Sequence, residues 1–96
     1  MKKIKIKTVV ESVYAPKKIN VIINNLDNDL HDKYFESQKS FTQEFEAGVG
    51  RYVITIVGMN QINDTTTVTV SGDFKLSDTK HSNEENYVMV FIGEIN

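Results

Sequence analysis

The densest group of cation-binding side chains lies in the polar stretch 24–32, where Asp27, Asp29, His31 and Asp32 fall within six positions of one another. Alternating carboxylates in a loop can present oxygens to Ca²⁺. The helix-loop-helix calcium pattern does not fit, however. Counting from Asp27, the sixth position is Asp32 where that pattern needs glycine, and the twelfth is Gln38 where it needs a bidentate glutamate. The stretch therefore reads as a solvated acidic turn, structurally neutral, with Asp27, Asp29 and Asp32 a weak metal candidate. The two histidines, His31 and His81, sit in separate loops, which argues against a transition-metal site. Ser40, Ser77 and Ser82 are not embedded in a strained nucleophile turn, so no serine–histidine chemistry is expected. Gly48-Val49-Gly50 precedes a strand rather than a helix N-terminus, so it reads as a hairpin turn and not a phosphate loop. Asn63-Asp64-Thr65 fits the N-glycosylation acceptor, which matters only in a secretory eukaryotic setting. No catalytic residues and no cofactor are expected.

Charge is distributed unevenly. Residues 1–18 hold six lysines against Glu11, a local balance of +5, and the other 78 residues hold five cations and twelve acids. Lys3, Lys5 and Lys7 alternate with Ile4 and Ile6, so they project from one face of one strand. Two readings apply to this basic stripe: lysines guarding an edge strand against sheet-to-sheet association, or a surface for an anionic partner. No aromatics are interleaved with the lysines, which disfavours single-stranded nucleic acid. The net charge of −2 gives no bulk attraction to nucleic acid of any kind.

Ninety-six residues, 40% hydrophobic and 25% charged, suit one soluble domain with one modest core. There is no cysteine, hence no disulfide and no thiolate chemistry. No apolar run approaches the length of a membrane helix, and Lys5 and Lys7 interrupt what could otherwise open a signal peptide. The expected location is cytoplasmic if the chain is complete, and extracellular or virion-associated if a leader or larger assembly precedes or surrounds it. Ten Ile, ten Lys and nine Asn indicate low-GC coding and hint at a bacterial or phage source.

The elements that must position these residues are strands. Period-2 alternation recurs and no segment sustains a 3.6-residue period. A first strand is expected over Lys3–Tyr14, ended by Pro16, with a bulge near Thr8–Val9 because Val9 and Val13 fall on the opposite parity. A second strand covers Lys18–Asn24. A short strand or single helical turn follows at Lys33–Glu36, then a strand carrying Phe41, Phe45 and Ala47. Arg51–Gly58 is the strongest strand, Asn60–Thr65 a hairpin-type loop, and Thr66–Ser71 a β-branched run. Residues 77–86 hold no aliphatic side chain and read as a mobile surface loop, and Tyr87–Ile92 closes the chain. The predicted core is Ile4, Ile6, Val21, Ile23, Phe41, Phe45, Tyr52, Ile54, Ile56, Val68, Val70 and Phe91. Short strands, turn signals and no helical crossovers predict an all-β, single-domain antiparallel β-sandwich of about six to eight strands spanning residues 1–96.

The stretch Gly50-Arg51-Tyr52-Val53-Ile54-Thr55-Ile56-Val57-Gly58, followed by Thr66-Thr67-Val68-Thr69-Val70-Ser71-Gly72, resembles the glycine-x-tyrosine-x-aliphatic hairpin of transthyretin-like and immunoglobulin-like bacterial sandwich modules. The resemblance covers about a quarter of the chain. It implies an accessory or adhesive role rather than catalysis, and it transfers no binding residue.

Two strands carry more apolar residues than one dry face requires. Val53, Val57 and Met59 on one, and Val88, Val90 and Ile92 on the other, fall on the parity opposite the core. Something should cover them: loops of the chain, a second copy, or a protein partner. The sequence thus points to a non-catalytic interaction or structural module, with a carbohydrate- or calcium-binding accessory domain as the alternative. There is no Trp, and Tyr14, Tyr34 and Phe35 are the aromatics free to form a sugar platform.

Overall fold

The computed structural model describes residues 2–11, 18–60, 64–73 and 78–96. Eight strands run in chain order: β1 (Lys2–Glu11), β2 (Ile19–Asn25), β3 (Lys33–Ser37), β4 (Phe41–Ala47), β5 (Gly50–Met59), β6 (Thr65–Gly72), β7 (Asp78–Ser82) and β8 (Asn86–Ile95). They form two antiparallel four-stranded sheets, ordered β4-β1-β6-β7 and β3-β2-β5-β8. A short 3₁₀ turn at Asp29–His31 is the only helical element among the described residues. The protein is an all-β antiparallel sandwich.

Alternation built this architecture. In β2 and β5 every second residue is buried: Ile19, Val21 and Ile23, then Tyr52, Ile54 and Ile56. The opposing sheet contributes Ile4, Ile6, Val68 and Val70, and β8 adds Tyr87, Met89, Phe91 and Ile95. Side chains of the two inner faces interdigitate into one core, as sheet-on-sheet packing demands. Phe41 and Phe45, expected in that core, are only half-buried. They lie on β4, an edge strand, and close one open side of the sandwich against Phe35, with ring centroids 5.0 and 5.8 Å from it.

Strand order overturns several local expectations. No bulge interrupts β1: its register with β6 runs unbroken from Ile4↔Gly72 to Glu11↔Thr65, and Thr8 takes the inward slot while Val9 faces out. Val13, Tyr14 and Pro16 lie outside the described residues. Of the two readings for Lys33–Glu36, the strand holds, over Lys33–Ser37. Residues 77–86, expected to be a loop, hold β7, which pairs with β6 through Thr66↔Ser82 to Val70↔Asp78. An edge strand of this kind needs a backbone partner more than apolar side chains.

The turns differ as well. β4 and β5 belong to opposite sheets, and so do β5 and β6, so the β4–β5 and β5–β6 connections pass from one sheet to the other, as arches and not as hairpins. Buried Asn60 holds the second arch, donating from Nδ2 to the carbonyls of Ser82 and Glu84 at 3.0 and 2.7 Å and accepting from the Thr66 hydroxyl. Gly72 ends β6 with φ +95°, and a Cβ there would stand 2.6 Å from the Lys3 carbonyl. Only glycine fits so close an approach of two backbones.

Candidate interaction surface

The outer face of the β3-β2-β5-β8 sheet is built from residues on the solvent parity. Cross-strand register places Val53 beside Ile92, Thr55 beside Val90 and Val57 beside Val88. Ile22 lies next to Thr55 on one side and Tyr34 on the other. Exposure concentrates on β8, where Val88, Val90 and Ile92 are 64%, 38% and 69% exposed. Val53 and Val57, on a central strand flanked on both sides, are half-buried. These five residues, singled out for their parity, thus form one contiguous aliphatic patch along the β5–β8 half of the sheet. No segment among the described residues covers β8's part of it. Its charged neighbours are polar anchors: Lys18 bonds Glu36 at 2.9 Å, and Tyr34 donates to Asn20 and Glu36. The Lys18 ammonium and the Tyr34 hydroxyl hold the Glu36 carboxyl below its usual range.

The edge of β8 is part of the same surface. The Lys80 ammonium reaches from β7 to the Val90 carbonyl at 2.6 Å and lies 5.3 Å from the centroid of the Phe91 ring. Lys80 therefore closes the second open side of the sandwich, opposite the phenylalanine cluster. Beside it lies a recess of about 310 Å³ between β7 and β8, lined in part by Lys80, His81, Glu84 and Val88. Lys80 was legible only as one charge in a polar stretch, because its role depends on β7 being a strand.

The edge-guard reading of the basic stripe does not hold. β1 lies inside its sheet, flanked by β4 and β6, so Lys3, Lys5 and Lys7 guard no edge. Cross-strand register sets Glu46 opposite Lys3 and Glu44 opposite Lys5, and the Lys3 ammonium reaches Glu44 at 3.5 Å. On the other flank the lysines meet Ser71 and Thr69. This face is a mixed carpet of charge and hydroxyls.

The acidic loop uses its carboxylates internally. Asp27 accepts from the Arg51 backbone at 2.8 Å and pairs with its guanidinium at 2.7 Å, which holds the Asp27 carboxyl below its usual range. Asp32 accepts from the Asn25 backbone at 2.7 Å. Buried Asn25 accepts from the N–H groups of Asp27 and Asn28 and donates to the Val49 carbonyl, tying the 26–32 loop to the 48–49 arch. Asp27 is thus a brace, which corrects its reading as structurally neutral. Among the described residues no three His, Asp or Glu side chains are grouped to hold a metal ion.

The remaining chemistry-bearing residues are dispersed. The Ser40 hydroxyl accepts from the Val10 backbone and the Ser82 hydroxyl from the Glu84 backbone. The His31 imidazole fills the space above Gly48. Ser77 and Asn63 lie outside the described residues. No helix among the described residues is long and apolar enough to cross a membrane.

No protein-family model, curated protein or solved structure matches the chain.

Proposed function

We propose that this domain is a non-catalytic interaction or structural module that docks a protein through the β5–β8 half of its apolar sheet face. The observation that carries this reading is the exposure of Val88, Val90 and Ile92 side by side with the aliphatic row of β5. Burial of apolar surface contributes roughly 25 cal/mol per Å², so leaving three aliphatic side chains wet forgoes several kcal/mol that a partner would recover. Contiguous exposed aliphatic area flanked by polar residues is the usual mark of a protein contact. The resemblance of residues 50–72 to sandwich modules with accessory or adhesive roles is in keeping with it, as is a bacterial or phage source.

The test is sedimentation and partner capture by the wild type beside a Val88→Lys/Val90→Lys variant. Retained fold with loss of self-association or of a captured partner supports the reading. A wild type that stays monomeric and captures nothing, matched by the variant in both assays, overturns it.

A further inference from the structure

The four edge strands of the sandwich are not equally defended. Cross-strand register puts a polar residue at an inward-facing position on three of them: Gln43 on β4, Lys33 on β3, Asp78 and Lys80 on β7. Such inward-pointing polar groups stop another chain from extending a sheet. β8 has none. Its inward residues are Tyr87, Met89, Phe91, Gly93 and Ile95, and it is ten residues long. Among the described residues its guard is borrowed, the Lys80 ammonium on the Val90 carbonyl.

That bond also shows which way the β8 backbone faces. In an antiparallel ladder a residue's N–H and C=O point to the same flank, and flanks alternate along the strand. Since the Val90 carbonyl points away from β5, the backbones of Val88, Val90 and Ile92 all face the open edge. These are the same three residues whose side chains are exposed on the apolar face. Edge and face therefore present one composite surface.

We infer that the β8 edge is a strand-addition site, latched by Lys80, for an extended partner segment that alternates aliphatic and acidic residues. The inference rests on the docking reading above and deepens it by specifying the partner. An added strand would bond the N–H and C=O groups of Val88, Val90 and Ile92. Its outward side chains extend the valine and isoleucine row, which calls for aliphatics. Its inward side chains enter the recess of about 310 Å³ between β7 and β8. There they meet the Lys80 ammonium, displaced from the Val90 carbonyl and in need of an acceptor. A carboxylate at that position supplies one.

The same chemistry disfavours a second copy at this edge. Pairing two β8 strands about Val90, the register that uses the strand from Asn86 to Glu94, would bring both Lys80 ammonium groups to one axis. The inward residues of β8 hold no acid to receive either.

The probe is the capped peptide Val-Glu-Val-Glu-Val, titrated against the full chain while backbone amide shifts are followed. It should move the amides of Val88, Val90 and Ile92 and bind about tenfold more tightly than Val-Lys-Val-Lys-Val, since one exposed lysine attracts the first peptide and repels the second. Methylating the peptide's edge-facing backbone nitrogens should abolish binding with the protein unchanged. Lys80→Ala should bring the two peptides close to equal affinity. Equal binding of the methylated peptide, or an acid preference that survives Lys80→Ala, overturns the strand-addition site and leaves face docking standing. No binding by any of these peptides also overturns it, and the sedimentation of Val88→Lys/Val90→Lys then judges the docking reading separately.

Discussion

The two outer faces of this sandwich are made by strands of similar length and opposite character. On the β4-β1-β6-β7 sheet, lysines of β1 stand between glutamates of β4 and hydroxyls of β6, and Thr69 meets Thr79 at 3.0 Å. On the β3-β2-β5-β8 sheet, the equivalent positions of β5 and β8 are Val53, Val57, Val88, Val90 and Ile92. The first face is satisfied by its own cross-strand pairs and by water. The second leaves an aliphatic row exposed, and the docking proposal rests on that row. A sandwich needs one dry face per sheet, so the surplus apolar parity of β5 and β8 is not required by the core.

The largest effect should come where the two sheets share their core. Ile54→Ala is expected to cost about 2–5 kcal/mol, from lost transfer energy and the cavity left behind; Ile54 is fully buried. Denaturant melts of this variant measure how strongly the sheets depend on each other. A loss near zero would mean that they are not packed as described.

The outer faces should respond far less in stability and unequally in association. Val88→Lys/Val90→Lys is expected to change stability by under about 1 kcal/mol while abolishing the face's contacts, read by sedimentation. Lys5→Glu with Lys7→Glu on the other sheet should leave association unchanged. Equal effects of the two pairs on association would erase the distinction between the faces.

Alkaline pH tests the buried side of β8. Burial pushes the Tyr87 phenol above its ordinary value, so the neutral form is favoured in the folded chain. This contribution is fully present below the unfolded phenol value of about 10 and is lost as pH rises through the folded one. Thermal melts should fall above about pH 10, and Tyr87→Phe should flatten that fall. An unchanged slope would mean the phenol is not shielded by β8 packing.

The smallest effects lie at surface ion pairs. A double-mutant cycle on Lys3 and Glu44, both about half exposed, should give a coupling under about 1 kcal/mol. For Asp27, the Arg51 guanidinium lowers the folded carboxyl value, so its contribution is present above the unfolded value of about 4 and lost as pH falls through the folded one. The melting temperature of Asp27→Asn should therefore trail the wild type at neutral pH and converge with it in acid.

The legible part of the candidate surface was its parity. Val88, Val90 and Ile92 alternate with Tyr87, Met89 and Phe91, and that spacing alone assigns them to opposite faces. Lys80 and the Asp27–Arg51 brace were not legible. Each joins residues whose nearness depends on which strands lie side by side, ten positions apart for Lys80 and Val90 and twenty-four for Asp27 and Arg51.

Local patterning thus determined that the chain is all-β, which residues point inward, and that one pair of strands has apolar residues to spare. Alternation at period 2 is a property of a strand by itself, fixed by the pleat. Tertiary structure alone decided which strands are edges and which are interior. It moved the lysine stripe off any edge, turned a polar stretch into β7, and turned two supposed hairpins into arches between sheets. Strand order is set by pairing between segments distant in the chain, and the period of a single strand carries no record of its neighbours.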